Sequence, residues 1–222
     1  MVILSAILFF LTQHPFWSWL LLLILGVMLS HLLAAWRRNA RWYLLILPFF
    51  LYGQINIFVA HIFNALLLNA FGVPGTGVVT HAEETSSTLN DQYIWAYDAI
   101  LRTADGRDVV VQFDTMSASI YPITNAIRIP PEGERFAIKY IPGFPRNFVI
   151  MHDLSPYGIR NIISEDRDPV DKAANQLAAS PANPDFIAEY RKALTEFLDK
   201  HRTDADPALI ERYQNDLEAL PR

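Results

Sequence analysis

The sequence predicts an α+β membrane protein. It has an integral membrane helical hairpin, then an extracytoplasmic small β-barrel or β-sandwich-like domain, then a C-terminal helical extension. Three observations carry this prediction. Residues 1–82 hold three charged side chains, Arg37, Arg38 and Arg41, whereas residues 83–222 hold all 23 acidic and the other 15 basic ones, a net charge of −8. Apolar stretches follow one another up to residue 71, interrupted only at 12–15 and 36–41, and the pattern changes to that of strands after it. Three Asx-Pro pairs near the C-terminus then open helical patterns.

Residues 1–15 begin with an apolar run, Val2–Leu11, that is too short to cross a bilayer and is followed by Thr12-Gln13-His14-Pro15. It lacks a basic leader and a small-residue cleavage site, so it is not read as a signal peptide. It is either interfacial or continuous with the first membrane helix, bent at Pro15.

Residues 16–72 form the anchor. Phe16–Ala35 is uncharged over 20 residues, which at about 1.5 Å per residue matches a hydrocarbon layer of roughly 30 Å. Trp17, Trp19 and Trp36 flank it where indole rings favour the headgroup layer. The second helix is expected over about 42–65, or extended to 71. The turn between them carries Arg37, Arg38 and Arg41, which place it in the cytoplasm. Residues 73–222 then lie on the periplasmic or extracytoplasmic side of a bacterial inner (cytoplasmic) membrane.

Gln54, His61, Asn64 and Asn69 fall within an arc of about 140° on the second helix, with Asn56 pointing elsewhere. A polar stripe in a membrane helix faces protein or water. Packing against the first helix, aided by Gly53, Ala60 and Ala65, accounts for it, as does a partner subunit, self-association or a solute path. His31 and His61 lie roughly 20 Å apart in depth, and His14 and His61, which could both approach the outer surface, lack a third ligand, so no metal site is predicted.

Residues 73–165 are β-rich. Val73-Pro74-Gly75-Thr76-Gly77 reads as a turn and lacks the Lys-Ser/Thr of a phosphate loop. Strands are expected at 77–80, 93–101, 108–113, within 119–129, at 136–140 and at 148–150. Asp105-Gly106 marks a hairpin between the second and third. Phe144, Arg146 and Asn147, in a Pro/Gly-rich connection, combine an aromatic ring with polar donors and form the candidate interaction surface. Proline-stiffened packing, with Phe148 in the core, is the competing reading.

The run YDAILRTADGRDVVVQF, followed by GERFAIKYIPGFPRNFVI, resembles bacterial membrane-tethered small β-domain proteins of unknown function. The matching residues are Tyr97, Asp105, Gly106 and Arg107 of an Asp-Gly-Arg hairpin, with Tyr140, Pro142 and Pro145 of a Tyr-x-Pro-x-x-Pro pattern. The resemblance implies a strand-rich extracytoplasmic module. It implies no activity and no functional residue, and the helical tail departs from it.

Residues 166–222 are expected to form three helices, near 169–179, 184–201 and 207–219. Each is announced by an Asx side chain before a proline at the first helical position: Asp168-Pro169, Asn183-Pro184 and Asp206-Pro207.

Without Cys the chain has no thiol chemistry and no disulfide. No nucleophile elbow, zinc helix or calcium loop occurs. His152-Asp153 with Ser155 and Ser164 supplies triad residue types, but adjacent His and Asp rarely meet the required geometry. No catalytic residue, metal site or cofactor is predicted. The acidic exterior argues against nucleic acid as a partner.

The leading expectation is therefore a non-enzymatic inner-membrane protein that presents its exterior domain to another membrane or envelope protein, or to a second copy. An envelope complex, a secretion accessory and toxin neutralisation are all settings for such a role. A membrane-anchored ligand or envelope-stress sensor, and a subunit of a membrane enzyme or transporter, are the alternatives.

Overall fold

The computed structural model describes residues 1–221. They divide into two compact units, residues 1–155 and 156–221.

The first unit opens with three helices. Helix α1 spans Val2–Gln13 and α2 spans Pro15–Arg37. They are separated by a single bent residue, His14 (φ −130°, ψ 63°), with Pro15 at the first position of α2 where its missing N–H costs nothing. Ser18 Oγ donates across the bend to the Phe10 carbonyl at 3.3 Å. The N-terminal segment is thus helical and follows directly into α2.

Arg38, in the left-handed region at φ 50°, ends α2. Asn39 then caps a 3-10 turn, Ala40–Leu45, its Oδ1 accepting from the Arg41 N–H at 3.0 Å. Helix α3 follows over Ile46–Phe71. His31 Nδ1 and the Tyr43 hydroxyl, 3.0 Å apart, tie the two arms near this turn.

Two helices, Pro15–Arg37 and Ala40–Phe71, are long and apolar enough to cross a membrane. They pack through small residues. Ser18, Gly26, Ser30 and Ala34 form the buried face of α2, while Gly53 and Ala60 lie on that of α3. A Cβ at Gly26 would come 2.6 Å from Phe49 Cβ, and one at Gly53 2.7 Å from Trp19 Cδ1. Only glycine lets the backbones approach this closely.

The strands form one open six-stranded mixed sheet, in the order β3-β2-β1-β5-β6-β4. They are β1 Val73–Leu89, β2 Gln92–Arg102, β3 Asp108–Asp114, β4 Ile120–Tyr121, β5 Arg135–Ile141 and β6 Phe144–Met151. All pairs are antiparallel except β4 with β6. This corrects the expected barrel or sandwich. The edge strand β3 approaches β6 through side chains, with Phe113 and Phe148 edge to face at 5.5 Å, but no backbone ladder closes the ring.

The segment Val73–Gly77 is a strand rather than a turn. It pairs with β5 from Val73↔Tyr140 to Gly77↔Phe136. Its glycines are there for space. A Cβ at Gly77 would lie 2.5 Å from Phe136 Cζ and 2.9 Å from Leu101 Cδ2. The Phe136 ring, with Val79, Ala99, Leu101, Val111 and Ile138, fills the inner face of the curl. The other face of β5 and β6 lies on α3, where Val149, Met151 and Ile141 pack against Ala65 and Leu68.

In the second unit, α4 spans Pro156–Ala179, α5 Pro184–His201 and α6 Pro207–Ala219. Asn183 and Asp206 cap α5 and α6, accepting from Asp185 N–H at 2.9 Å and Ala208 N–H at 2.8 Å. The Asp168-Pro169 pair does not start a helix. Pro169 sits inside α4, which begins earlier, at Pro156. An internal proline costs about 3 kcal/mol. Val170 is 1% exposed and, with Ile163, packs in the core formed by Leu194, Phe197, Ile210 and Tyr213. Burial at roughly 1.5–3 kcal/mol per such side chain offsets that cost, so packing overrides the local stop signal.

Candidate functional site

The polar residues of α3 do not form a single stripe, because different neighbours cover the helix at different heights. Gln54 is exposed on α3. Asn56, expected to point elsewhere, is 1% exposed and shares the buried face with Gly53, Ala60 and Asn64. Its amide donates to the Leu11 carbonyl of α1 at 3.2 Å. His61 is half-buried and faces an apolar groove.

Asn64 and Asn69 join the helix to the sheet. The Asn64 amide, 2% exposed, donates to Asn147 Oδ1 and to Ser119 Oγ, each at 2.8 Å. The Asn147 amide donates back to Asn64 Oδ1 at 2.8 Å and to the Ser5 carbonyl and hydroxyl at 3.0 Å. One turn higher, Lys139 Nζ of β5 donates to Asn69 Oδ1 at 2.7 Å and to the Asn69 carbonyl at 2.8 Å. Buried polar groups are costly unless paired. These are paired with each other and hold α1, α3 and β6 together.

The proposed surface of Phe144, Arg146 and Asn147 is divided by the same network. Asn147 is 2% exposed and belongs to the joint. Phe144 meets Phe9 of α1 edge to face at 5.4 Å. Only Arg146 is exposed. The turn before them has Pro142 followed by Gly143 at φ 92°, the order a type II turn requires.

The residues of the Tyr/Asp-Gly-Arg pattern are structural. Tyr97 stacks on Phe113 at 5.2 Å. Gly106, at φ 82°, closes the turn through its N–H to the Thr103 carbonyl at 2.9 Å. Arg107 pairs with Asp105 at 2.8 Å. The Tyr140 hydroxyl accepts from the Ala104 N–H at 2.8 Å, which fixes this turn to β5.

Ser155 is equally structural. It is fully buried, its hydroxyl donating to the Met151 carbonyl at 2.6 Å and accepting from the Ala137 N–H at 3.0 Å. The Ser155 hydroxyl is thus engaged in backbone bonds, whereas Ser164 lies exposed on α4. Among the described residues no group of His, Asp and Glu is placed to hold a metal ion.

Two features were not anticipated from the sequence. The first is the groove beside α3. Phe58, His61 and Ile62 form one wall, and the segment 115–127 with Leu89 forms the other, around a cavity of about 230 Å³. The second is a cluster in the helical unit. His201, 2% exposed, places Nε2 2.7 Å from Asp166 Oδ2 and Nδ1 3.1 Å from Asp204 Oδ2, with Lys200 also on Asp166 at 2.5 Å. Burial pushes the Asp166 carboxyl up, but the hydrogen bonds from Lys200 and His201 outweigh it and hold it below the usual carboxylate range.

Comparison of the chain with models of known protein families, with curated proteins and with solved structures gives no match.

Proposed function

We propose that this is a non-enzymatic membrane protein whose two spanning helices present the sheet and the helical unit outside the cytoplasm to another envelope protein. The observation that carries this reading is the different fate of the polar residues on α3. Asn56, Asn64 and Asn69 are used in internal bonds, whereas Gln54 is exposed. Counting from Arg41 through the 3-10 turn and α3, Gln54 lies about 20 Å into an apolar layer of roughly 30 Å. An amide exposed at that depth is costly until a second helix supplies its hydrogen bonds. The arginines of the turn support a cytoplasmic hairpin. With Asn64 and Asn69 engaged internally, a solute path is the weaker reading.

The test is copurification in mild detergent together with cysteine crosslinking along α3. Gln54→Leu keeps the apolar volume and removes the amide. A stoichiometric partner or dimer that is retained by the wild type and lost in Gln54→Leu supports the reading. A monomer without any partner under several growth conditions overturns it.

A further inference from the structure

We propose that the groove between α3 and the segment 115–127 is a lateral site for one acyl chain of a phospholipid from the outer face of the bilayer. The proposal takes from the preceding reading only the insertion of α2 and α3.

Depth is the first argument. The 3-10 turn advances about 2 Å per residue and α3 about 1.5 Å, so an apolar layer of roughly 30 Å measured from the arginine turn ends near residues 58–61. Phe58, His61 and Ile62, which wall the groove, therefore stand at the outer boundary. Their surface is a direct continuation of the exposed side of α3, where Ile55 is 55% and Phe58 64% exposed.

The opposite wall supplies the second argument. Ile123 is 41%, Ile127 59% and Leu89 43% exposed, and all three border the cavity. Leu89 ends the long β1 arm, whose neighbours Tyr93 and Trp95 are 53% and 39% exposed. Large apolar side chains gathered around one groove, with Tyr93 and Trp95 beside Ile127, match the composition of a bilayer interface. Polar groups are few at the groove: the His61 ring and the hydroxyls of Thr115 and Thr124. An apolar lining with sparse polar groups fits a hydrocarbon chain below a polar head.

The cavity suits part of a chain. At about 30 Å³ for a water-sized group, 230 Å³ holds on the order of eight such groups. That is the outer half of an acyl chain, with the remainder in the bilayer.

The full chain in nanodiscs containing a phosphatidylethanolamine with a diazirine in one acyl chain provides the test. Illumination followed by peptide mapping is expected to label residues 57–62 and 115–127 in addition to the lipid-facing side of α2. Ala126→Trp, at an exposed position bordering the groove, is expected to lower labelling of 115–127 about tenfold while labelling of α2 is unchanged. Ile123→Ser with Ile127→Ser, also exposed, is a second variant with the same expectation should the first alter the thermal melt. Labelling confined to α2 and the buried depth of α3 overturns the site and leaves the anchor standing. So does loop labelling indifferent to both variants, or crosslinking of a polypeptide there in place of lipid. Absence of label on α2 overturns the anchor as well.

Discussion

Asn64 and Asn147, 83 residues apart in sequence, exchange two amide hydrogen bonds of 2.8 Å, and each side chain is 2% exposed. This reciprocal pair is the centre of the joint between the long apolar helix α3 and the sheet. It shows why both residues are polar at positions that geometry would otherwise fill with leucine. Removing one amide leaves the partner's Oδ1 buried without its donor, at about 1–3 kcal/mol. Asn64→Leu and Asn147→Leu should each destabilise by that amount, and the double variant by clearly less than the sum. Thermal melts of the four proteins in one detergent form the cycle that checks it. Additive losses would mean that the pair is not coupled.

Glycines in this chain serve two purposes that substitution separates. Gly77→Ala meets Phe136 and Leu101 and is expected to cost about 1–3 kcal/mol through overpacking of the sheet. Gly106→Ala meets nothing within 4 Å, yet Gly106 is at φ 82°, so its cost of about 1–2 kcal/mol comes from the backbone. Phe136→Leu should partly rescue the first and leave the second unchanged, as read by denaturant midpoints.

The Asp166 cluster makes the helical unit sensitive to acid. The folded carboxyl is held below its ordinary value, so its stabilising contribution is present above the unfolded pKa of about 4 and is lost as pH falls through the lower folded value. Asp166→Asn should therefore weaken the unit at pH 7, and the difference from wild type should shrink at pH 3. Amide hydrogen exchange of residues 156–221, corrected for intrinsic rates, gives both comparisons. Equal protection of the two proteins at pH 7 would remove the cluster from the stability account.

Removing one turn-fixing bond should be mild. Tyr140→Phe leaves the Ala104 N–H without its acceptor and is expected to cost about 1 kcal/mol. The loss should concentrate as faster exchange in residues 103–107. Unchanged exchange there would show that the turn holds itself through Thr103.

Orientation is measurable without purification. An alkaline phosphatase fusion at the C-terminal end should be active and one at Asn39 inactive. Replacing Arg37, Arg38 and Arg41 with Gln should reduce that contrast. The reverse pattern would place the sheet in the cytoplasm.

Charge distribution and apolar length made the two long apolar helices legible, and Asn183-Pro184 and Asp206-Pro207 marked their helix starts because local capping decides them. Where tertiary packing decides, the sequence misled. Pro169 is overridden by the burial of Val170, and Val73–Gly77 becomes a strand because β5 lies beside it. The turn Asn90-Asp91 takes φ 51° and 62°, the paired positive values of a type I′ hairpin. It lacks the usual glycine, so the full length of β1 and β2 was not expected. Asn56 escaped for another reason. A wheel sorts residues by angle alone, whereas α3 meets α2, α1 and the sheet successively along its length. The groove was not legible at all, since its walls come from segments brought together only by folding.

A single residue, Gly72, separates the last turn of α3 from the first pair of β1, and its backbone is already extended at φ −78°, ψ 151°. With no linker between them, helix and sheet share one phase. Turning α3 about its axis must turn the sheet by the same angle, and one residue inserted there would dial the sheet by about 100° against the bonds of Asn64 and Asn69. The joint is therefore keyed: it passes a rotation of α3 to the sheet and does not absorb one.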